Sequence, residues 1–517
     1  MSDSNYKVLS SSLKMGTATF ASRIMGLVRE QVQAAVFGAS GLTDAFLVAF
    51  RVPNVLRDLF AEGSFSPAFV PVFLEERIKD PMLARRLLWS LATLLTIITT
   101  ILSLLMIIFS PELIRIFAPS FIADPEKFEL TVVLTRIMAP FLILVSLAAL
   151  FMGALNSLKI FFMPALAPVF FNLLMILSAL FFPPIFIKWG FHPIFSLGVG
   201  VILGGIFQMA CQIPLIISKG YGPIGPVQLI NKTTKKILHR VGIGTIGTAA
   251  TQINVLISTI LATGTVVGAV SWLSYAFRLF QFPVGVFSVS IAGSNLVHFS
   301  DSWKEGNKEK AIEFLSTSYL LSMLILVPAT FLLTALSVQT VHLIFERGLF
   351  NSNDTIMTTL ALNYYMVGLP FYGLYKVFSP IFYTLDKPKI PVIISIISIV
   401  ANIIFCLILV PYFGFKILAL GTSLSMLLNS ALLGILLKKD LEISYGFFFN
   451  LRIGKIFFAS IISYFFVDFI TKQIFDFKDF FVYKILIFCF LGLIGIIFYA
   501  ILLILLGEFR QIKELLR

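Results

Sequence analysis

Seven basic side chains sit in stretches of this sequence that are otherwise apolar: Arg23, Arg29, Arg51, Arg57, Arg136, Arg278 and Lys376. The acids set against them are Glu30, Asp44, Asp58 and Glu62. A charge held in a bilayer costs at least about 2.5–3.5 kcal/mol. Such groups persist when they face water, pair with an opposite charge or meet an anion. Arginine stays ionised in any surroundings and grips phosphate oxygens two at a time. A cavity lined by Arg23, Arg29, Arg57 and Arg278 therefore suits a diphosphate. Two other readings use the same residues. Arg51, Arg136 and Lys376 can snorkel from helix ends, and Glu30 and Glu62 can each neutralise one arginine.

Spacing limits how these groups combine. Arg23 and Arg29 are six residues apart, as are Arg51 and Arg57. Six residues place two side chains about 120° apart around a helix. Neither pair makes one narrow stripe. A broad water-filled cavity can still collect both members, with bending at Gly26, Pro53 and Pro283 as candidate hinges.

The elements that carry these residues are set by hydropathy. The chain has 517 residues, 58% hydrophobic and 13% charged. Soluble domains are nearer 25% charged. Apolar runs of about 20 residues recur along the length, which is the mark of membrane-spanning helices. The sequence predicts an all-α polytopic membrane protein with about fourteen spans. They run approximately over 8–37, 42–73, 87–110, 130–156, 163–184, 193–217, 237–262, 267–299, 310–337, 356–384, 390–411, 416–437, 453–471 and 482–506. With that count the Lys and Arg residues in loops and at span ends sort 24 to one side and 8 to the other. The richer side is cytoplasmic by the positive-inside rule, so both termini are expected there. The same rule absorbs most of the net charge of +13, which in a soluble chain would suggest nucleic acid. The first residues lack a short apolar core with a small-residue cleavage site, so no cleaved leader is expected.

An internal repeat runs through the spans. "AFRVP" at 49–53 returns loosely as "AFRLFQFP" at 276–283, which puts Arg51 and Arg278 227 residues apart. Pro140 and Pro370 are 230 apart, as are Asn172 and Asn402. The near-constant offset predicts two six-span lobes, 1–220 and 235–440, with two further spans in 450–510. An even number of spans per lobe makes the repeats parallel, related by a pseudo-twofold axis along the membrane normal. Transporters built this way place substrate between the halves.

Enzyme chemistry finds little support. The intramembrane acids are single and scattered, and His192, His239, His298 and His342 form no metal-binding pattern. Cys211, Cys406 and Cys489 lie in separate apolar runs and read as packing residues. No G-x-x-x-x-G-K-[ST] loop is present. The expectation is a transporter without metal or cofactor, driven by the membrane potential. Asn172 and Asn402 read as hydrogen-bonding glue between helices, with substrate contact as the alternative.

Several blocks resemble a known family. "SRIMGLVREQVQAAVFGASGLTDAFLVAFRVPNVLRDLFAEGSFSPAFVPVF" at 22–73 resembles the N-terminal signature of the MurJ (MviN) lipid II flippases. "TRIMAPFLILVSLAALFMGALNS", "PALAPVFFN", "VSWLSYAFRLFQFPVGVFSVS" and "FYTLDKPKIP" are similar to later blocks of that family. The resemblance covers the first twelve spans and is strongest in the first two. It implies a member of the multidrug/oligosaccharidyl-lipid/polysaccharide (MOP) exporter superfamily in the bacterial inner membrane. The implied substrate is undecaprenyl-diphosphate-disaccharide-pentapeptide, moved from the cytoplasmic to the periplasmic leaflet by alternating access. The implied partners are lipid II, membrane lipids and proteins of peptidoglycan synthesis, with no nucleic acid. The family's cavity residues fall on Arg23, Arg29, Arg57 and Arg278. Glu30, Asp44 and Arg51 also stand at family positions, and with Glu62 and Lys376, read from their own charge and place, they are expected to support or gate the cavity. The last two spans are implied to form a lipid-tail groove. Phe277 and Gln281 stand where the family commonly has acids, and no acid occurs in span seven, so no sodium site is expected. The rival readings are a flippase for another polyprenyl-diphosphate glycan and a MATE-like small-molecule antiporter.

Overall fold

The computed structural model describes residues 3–59, 65–225, 228–448, 450–478 and 480–508. Glu62 lies outside them. Among the described residues every regular element is a helix, as lipid demands of a chain that must satisfy its own backbone. In order they are α1 (Asp3–Phe37), α2 (Gly41–Arg57), α3 (Phe65–Lys79), α4 (Pro81–Ile108), α5 (Ser110–Phe117), α6 (Pro125–Met138), α7 (Phe141–Ser157), α8 (Phe162–Phe181), α9 (Pro183–Lys188), α10 (Phe195–Ala210), α11 (Ile213–Ile216) and α12 (Lys232–Thr263). They continue as α13 (Ala269–Pro283), α14 (Val289–Lys304), α15 (Lys308–Ala335), α16 (Ser337–Phe345), α17 (Ser352–Met366), α18 (Leu369–Thr384), α19 (Lys389–Phe413), α20 (Lys416–Leu441), α21 (Leu451–Ile474) and α22 (Phe481–Leu505).

Local sequence sets where many of these helices begin. Asp80 accepts the Met82 N–H and precedes Pro81, and Asp124 accepts the Lys127 N–H and precedes Pro125. Each aspartate caps the orphan donors while the proline supplies a ready-set φ. Asn231 with Thr234, and Asn351 with Asp354, close reciprocal capping boxes.

Among the described residues, ten helical stretches are long and apolar enough to cross a bilayer. The other four expected spans are helical too but more polar or more broken. Span 8–37 lies in α1, which carries Arg23, Arg29 and Glu30. Span 42–73 falls on α2 and α3, with Arg57 ending α2. Span 237–262 lies in α12, rich in Gly, Thr, Gln and Asn. Span 356–384 is split between α17 and α18 around Gly368. These four carry most of the polar residues singled out above.

Contacts divide the chain into two compact units, Met1–Ser271 with Arg347–Phe350, and Trp272–Glu346 with Asn351–Arg517. In the first, α1, α2, α6, α7, α8 and α10 share a core around Phe46, Met138, Phe141, Phe171 and Val201. A second core joins α3, α4 and α7 through Phe69, Phe73, Leu91 and Phe151. Lipid tails give helices no hydrophobic reason to associate, so close packing and polar ties decide. Gly204 of α10 is such a close approach: a Cβ there would stand 2.7 Å from the Phe171 ring and 2.9 Å from its carbonyl oxygen. Ser103 Oγ donates to the Ala139 carbonyl at 2.9 Å, and Gln212 Nε2 to that of Ala148 at 3.2 Å. The strap Arg347–Phe350 joins this unit where the Leu349 N–H donates to the Ala35 carbonyl at 2.8 Å.

In the second unit, α14, α15, α18, α20 and α21 enclose Phe299, Tyr319, Phe378, Phe382 and Leu437. Ser423 Oγ ties α20 to the Tyr364 carbonyl at 2.7 Å, and Ser425 Oγ ties it to that of Ser398 at 3.0 Å. Asn402 is buried beside Cys406 and Gly421, where α19 and α20 meet. In the first unit Asn172 donates to the Ser22 carbonyl at 3.4 Å. Both asparagines thus contact helices of their own unit.

Candidate functional site

The arginines of the first unit sit on α1 and α2. On α1 a buried stripe runs through Ala18, Gly26, Glu30, Gln33 and Phe37 at helical spacing. Gly26 lies within this unbroken helix, 3.7 Å from Asn172 Nδ2 when a Cβ is placed on it. Arg23 is exposed, while Arg29 is half-buried at the edge of the stripe. Arg29 Nη2 pairs with Glu30 Oε1 at 3.0 Å, and its guanidinium carbon lies 6.0 Å from the Phe171 ring centroid.

Pro53 interrupts the hydrogen-bond ladder of α2 without ending it. Asn54 beside it turns its side-chain amide onto the Phe50 carbonyl at 2.9 Å. Arg51 is half-buried, six residues before the C-terminal end of α2. Arg57 donates from Nε and Nη2 to one Asp58 oxygen, at 3.1 and 2.8 Å. The other Asp58 oxygen accepts from Gln252 Nε2 of α12 at 3.3 Å. So two of the span arginines each hold a carboxylate one residue away. Helical spacing alone hides this, because neighbours in sequence point about 100° apart and only their long side chains meet.

Asp44 has a different surrounding. It is 2% exposed and accepts from Gly268 N at 2.7 Å, Ser271 N at 3.0 Å and Ser271 Oγ at 2.7 Å. Lys127 Nζ stands 3.8 Å away and 4.0 Å from the Phe121 ring centroid. A carboxylate on the first amides of a helix satisfies orphan donors and complements the helix dipole. Asp44 therefore clamps the first turn of α13. Lys127 reads from sequence as a loop residue, and nothing local foretells its pairing with an acid 83 positions earlier.

In the second unit Arg278 is half-buried on α13 and Lys376 half-buried on α18, with its Nζ 5.9 Å from the Tyr375 ring centroid. Pro283 ends α13 and is followed by a wide helical turn, Val284–Ser288, before α14. The missing proline amide and the widened turn mark a built-in irregularity five residues beyond Arg278. Trp272 Nε1 donates to Asp354 Oδ1 at 3.0 Å, fixing α13 to α17. Arg136 is exposed and donates to Ser110 Oγ at 2.8 Å and to the Ile107 carbonyl at 3.3 Å, where α4 gives way to α5.

Both units thus present cationic side chains on helices that contain proline, Arg51 and Arg57 on α2 in the first, Arg278 on α13 and Lys376 on α18 in the second. Such groups bind and orient anions. A model of the family described as "Lipid II flippase MurJ" matches residues 33–504. A protein of Buchnera aphidicola subsp. Baizongia pistaciae (strain Bp), described as "Probable lipid II flippase MurJ", is 33% identical over 428 residues, 82% of each chain. The solved structure "Lipid II flippase MurJ, inward closed conformation" is 27% identical with a TM-score of 0.80, over 97% of this chain and 99% of that one. An inward-facing multidrug resistance MATE family transporter of the MOP superfamily shares the fold, with a TM-score of 0.65 at 15% identity, over 83% of this chain and 94% of that one.

Proposed function

This chain belongs to the lipid II flippase MurJ family, whose members are transporters rather than enzymes, and from that premise we propose how it moves its substrate. Lipid II is carried from the cytoplasmic to the periplasmic leaflet of the inner membrane, with both termini in the cytoplasm. The reading is carried by the arginines of α1 and α2, which a family member handling a diphosphate has reason to keep in its spans. Arg23, Arg29, Arg57 and Arg278 receive the diphosphate, while the polyprenyl tail stays in lipid along a groove formed by 450–510. Arg51, Lys376, Asp44 and Glu62 support or gate the path.

Arg29 and Arg57 enter this scheme already paired with Glu30 and Asp58. A diphosphate offers more acceptor oxygens than one carboxylate and draws the guanidinium into bidentate contact. The negative charge of the substrate adds to that of these carboxylates, so the cationic walls approach each other more easily with substrate than without it. Two lobes, 1–220 and 235–440, then rock against each other, with bending at Gly26, Pro53 and Pro283. The potential, negative inside, pushes an anion outward by about 2.3 kcal/mol per charge per 100 mV, so no nucleotide or other cofactor is required. Proteins of peptidoglycan synthesis take over the delivered substrate.

The test uses bacteria depleted of their own flippase and a periplasmic toxin that cleaves lipid II. Expression of this chain should restore cleavage. A well-inserted chain that restores none would move the reading to another polyprenyl-diphosphate glycan.

A further inference from the structure

A second basic site lies in the first unit, at the end of the spans away from Asp44's clamp. Here the last turn of α3, the start of α4, the turn after α7 and the turn after α11 surround a cavity of about 720 Å³. Arg77, Arg85, Lys159 and Lys219 line it, with Met82 and Leu158 as apolar wall. Arg77 Nη1 donates to the Ser157 carbonyl at 3.1 Å. Arg85 donates to the Gly222 carbonyl at 2.7 Å and to that of Pro223 at 3.0 Å. Carbonyls orient these guanidiniums without cancelling their charge. Among the described residues no carboxylate pairs with any of the four. The acids beside them are engaged elsewhere, Glu76 with Lys79 Nζ at 3.0 Å and Asp80 with the Met82 N–H at 2.8 Å.

The backbone under Lys159 adds a second observation. Its φ is +63°, a left-handed conformation that glycine, asparagine and aspartate accept more easily than lysine. The Ile160 N–H closes the turn onto the Leu155 carbonyl at 2.9 Å. The second unit holds the same turn 227 residues later: Asp386 has φ +55°, and the Lys387 N–H bonds the Phe382 carbonyl at 2.8 Å. There too a cavity of about 720 Å³ opens, with Lys304 in the place of Arg77 and Asp386 in the place of Lys159. Ile312 and Gly446 stand where the offset carries Arg85 and Lys219. The turn is thus common to both repeats, but only the first lines it with four cations.

We propose that the cavity around Arg77, Arg85, Lys159 and Lys219 binds the phosphate group of an anionic lipid headgroup. Basic pockets between spans recognise such headgroups, and each cation near the charged surface adds to the attraction. The apolar wall leads the acyl chains towards the bilayer. This site is separate from the arginines of α1 and α2 and does not depend on what those carry. The repeat supplies an internal control, because the counterpart cavity has a carboxylate in the key position.

The test measures lipid retention and thermal unfolding of the purified full chain in neutral detergent. Dioleoylphosphatidylglycerol, dioleoylphosphatidylcholine and inorganic phosphate are added separately. The variants are Lys159→Gln, which removes no hydrogen bond described above, Arg77→Gln with Lys159→Gln, and Lys304→Gln as the control. Phosphatidylglycerol should bind and stabilise where phosphatidylcholine does not. The double variant should weaken that binding about tenfold, Lys159→Gln less, and Lys304→Gln not at all. Stabilisation by inorganic phosphate equal to that by the lipid, and lost in Lys159→Gln, would support the phosphate site and assign it to a soluble anion. Unchanged lipid binding in Lys159→Gln and the double variant, or an equal loss in Lys304→Gln, would overturn the proposal.

Discussion

Arg29 and Glu30 meet at 3.0 Å with side chains 16% and 8% exposed, so this pair is largely withdrawn from bulk solvent. Removing one partner of such a pair takes a charge-assisted hydrogen bond from the other inside the protein, which makes each residue more consequential than a surface ion pair. Asp44 is the other deeply committed acid. Asp44→Ala leaves the Gly268 and Ser271 amides without their acceptor, at a cost of about 1–3 kcal/mol for each buried donor. A clearly lower unfolding midpoint in detergent is expected, with Asp44→Asn losing less because it keeps an acceptor. An unchanged midpoint for Asp44→Ala would remove the clamp from the scheme.

Glu346 gives a pH dependence outside the spans. Burial pushes its carboxyl up, but the Thr355 hydroxyl at 2.5 Å, His342 at 2.9 Å and the charge of Lys484 outweigh this and hold it below the ordinary value of 4.5. A lowered pKa in the folded state means that the unfolded chain binds the proton more readily. The stabilisation is therefore complete above about pH 4.5 and is lost as pH falls through the lower folded value. Melting curves should show the wild type losing more stability below pH 4.5 than Glu346→Gln does. Parallel losses would contradict it.

At the scale of elements, close helix contacts carry the packing. Gly204→Val drives a branched side chain into Phe171 and its backbone, and overpacking of this kind costs about 1–3 kcal/mol or more. The variant should show lower yield in the membrane and an earlier melting transition; wild-type values would mean that α8 and α10 can part without loss. Most elements are legible in the sequence because hydropathy alone marks them. The long apolar runs of α4, α8, α19 and α22 coincide with expected spans. The least apolar spans are harder to bound: the break between α17 and α18 falls at Val367–Gly368, inside a stretch that reads as one helix from its composition.

At the scale of the whole molecule, family and fold are legible because the signature of α1 to α3 is dense and the apolar runs are many. The polar wiring is not. Asp44 reaches Gly268 and Ser271 from more than 200 positions away, and Lys127 joins them from a third helix. No periodicity encodes such meetings, because they depend on how helices distant in sequence pack. The pairing of Arg57 with Asp58 is hidden for the opposite reason, since adjacent residues face apart on an ideal helix. The turn repeated at Lys159 and Asp386 lies in the sequence at the same offset as Arg51 and Arg278, but only backbone geometry distinguishes it from an ordinary helix end.

The most direct test concerns Arg29. Bacteria depleted of their own flippase would express either the wild-type chain or Arg29→Ala at matched levels in the membrane, and the toxin would report lipid II in the outer leaflet. Cleavage should be restored by the wild type and lost in Arg29→Ala, with Arg29→Lys falling between because lysine keeps the charge but not the bidentate grip. Full cleavage with Arg29→Ala would contradict the central claim that the arginines of the spans carry the diphosphate.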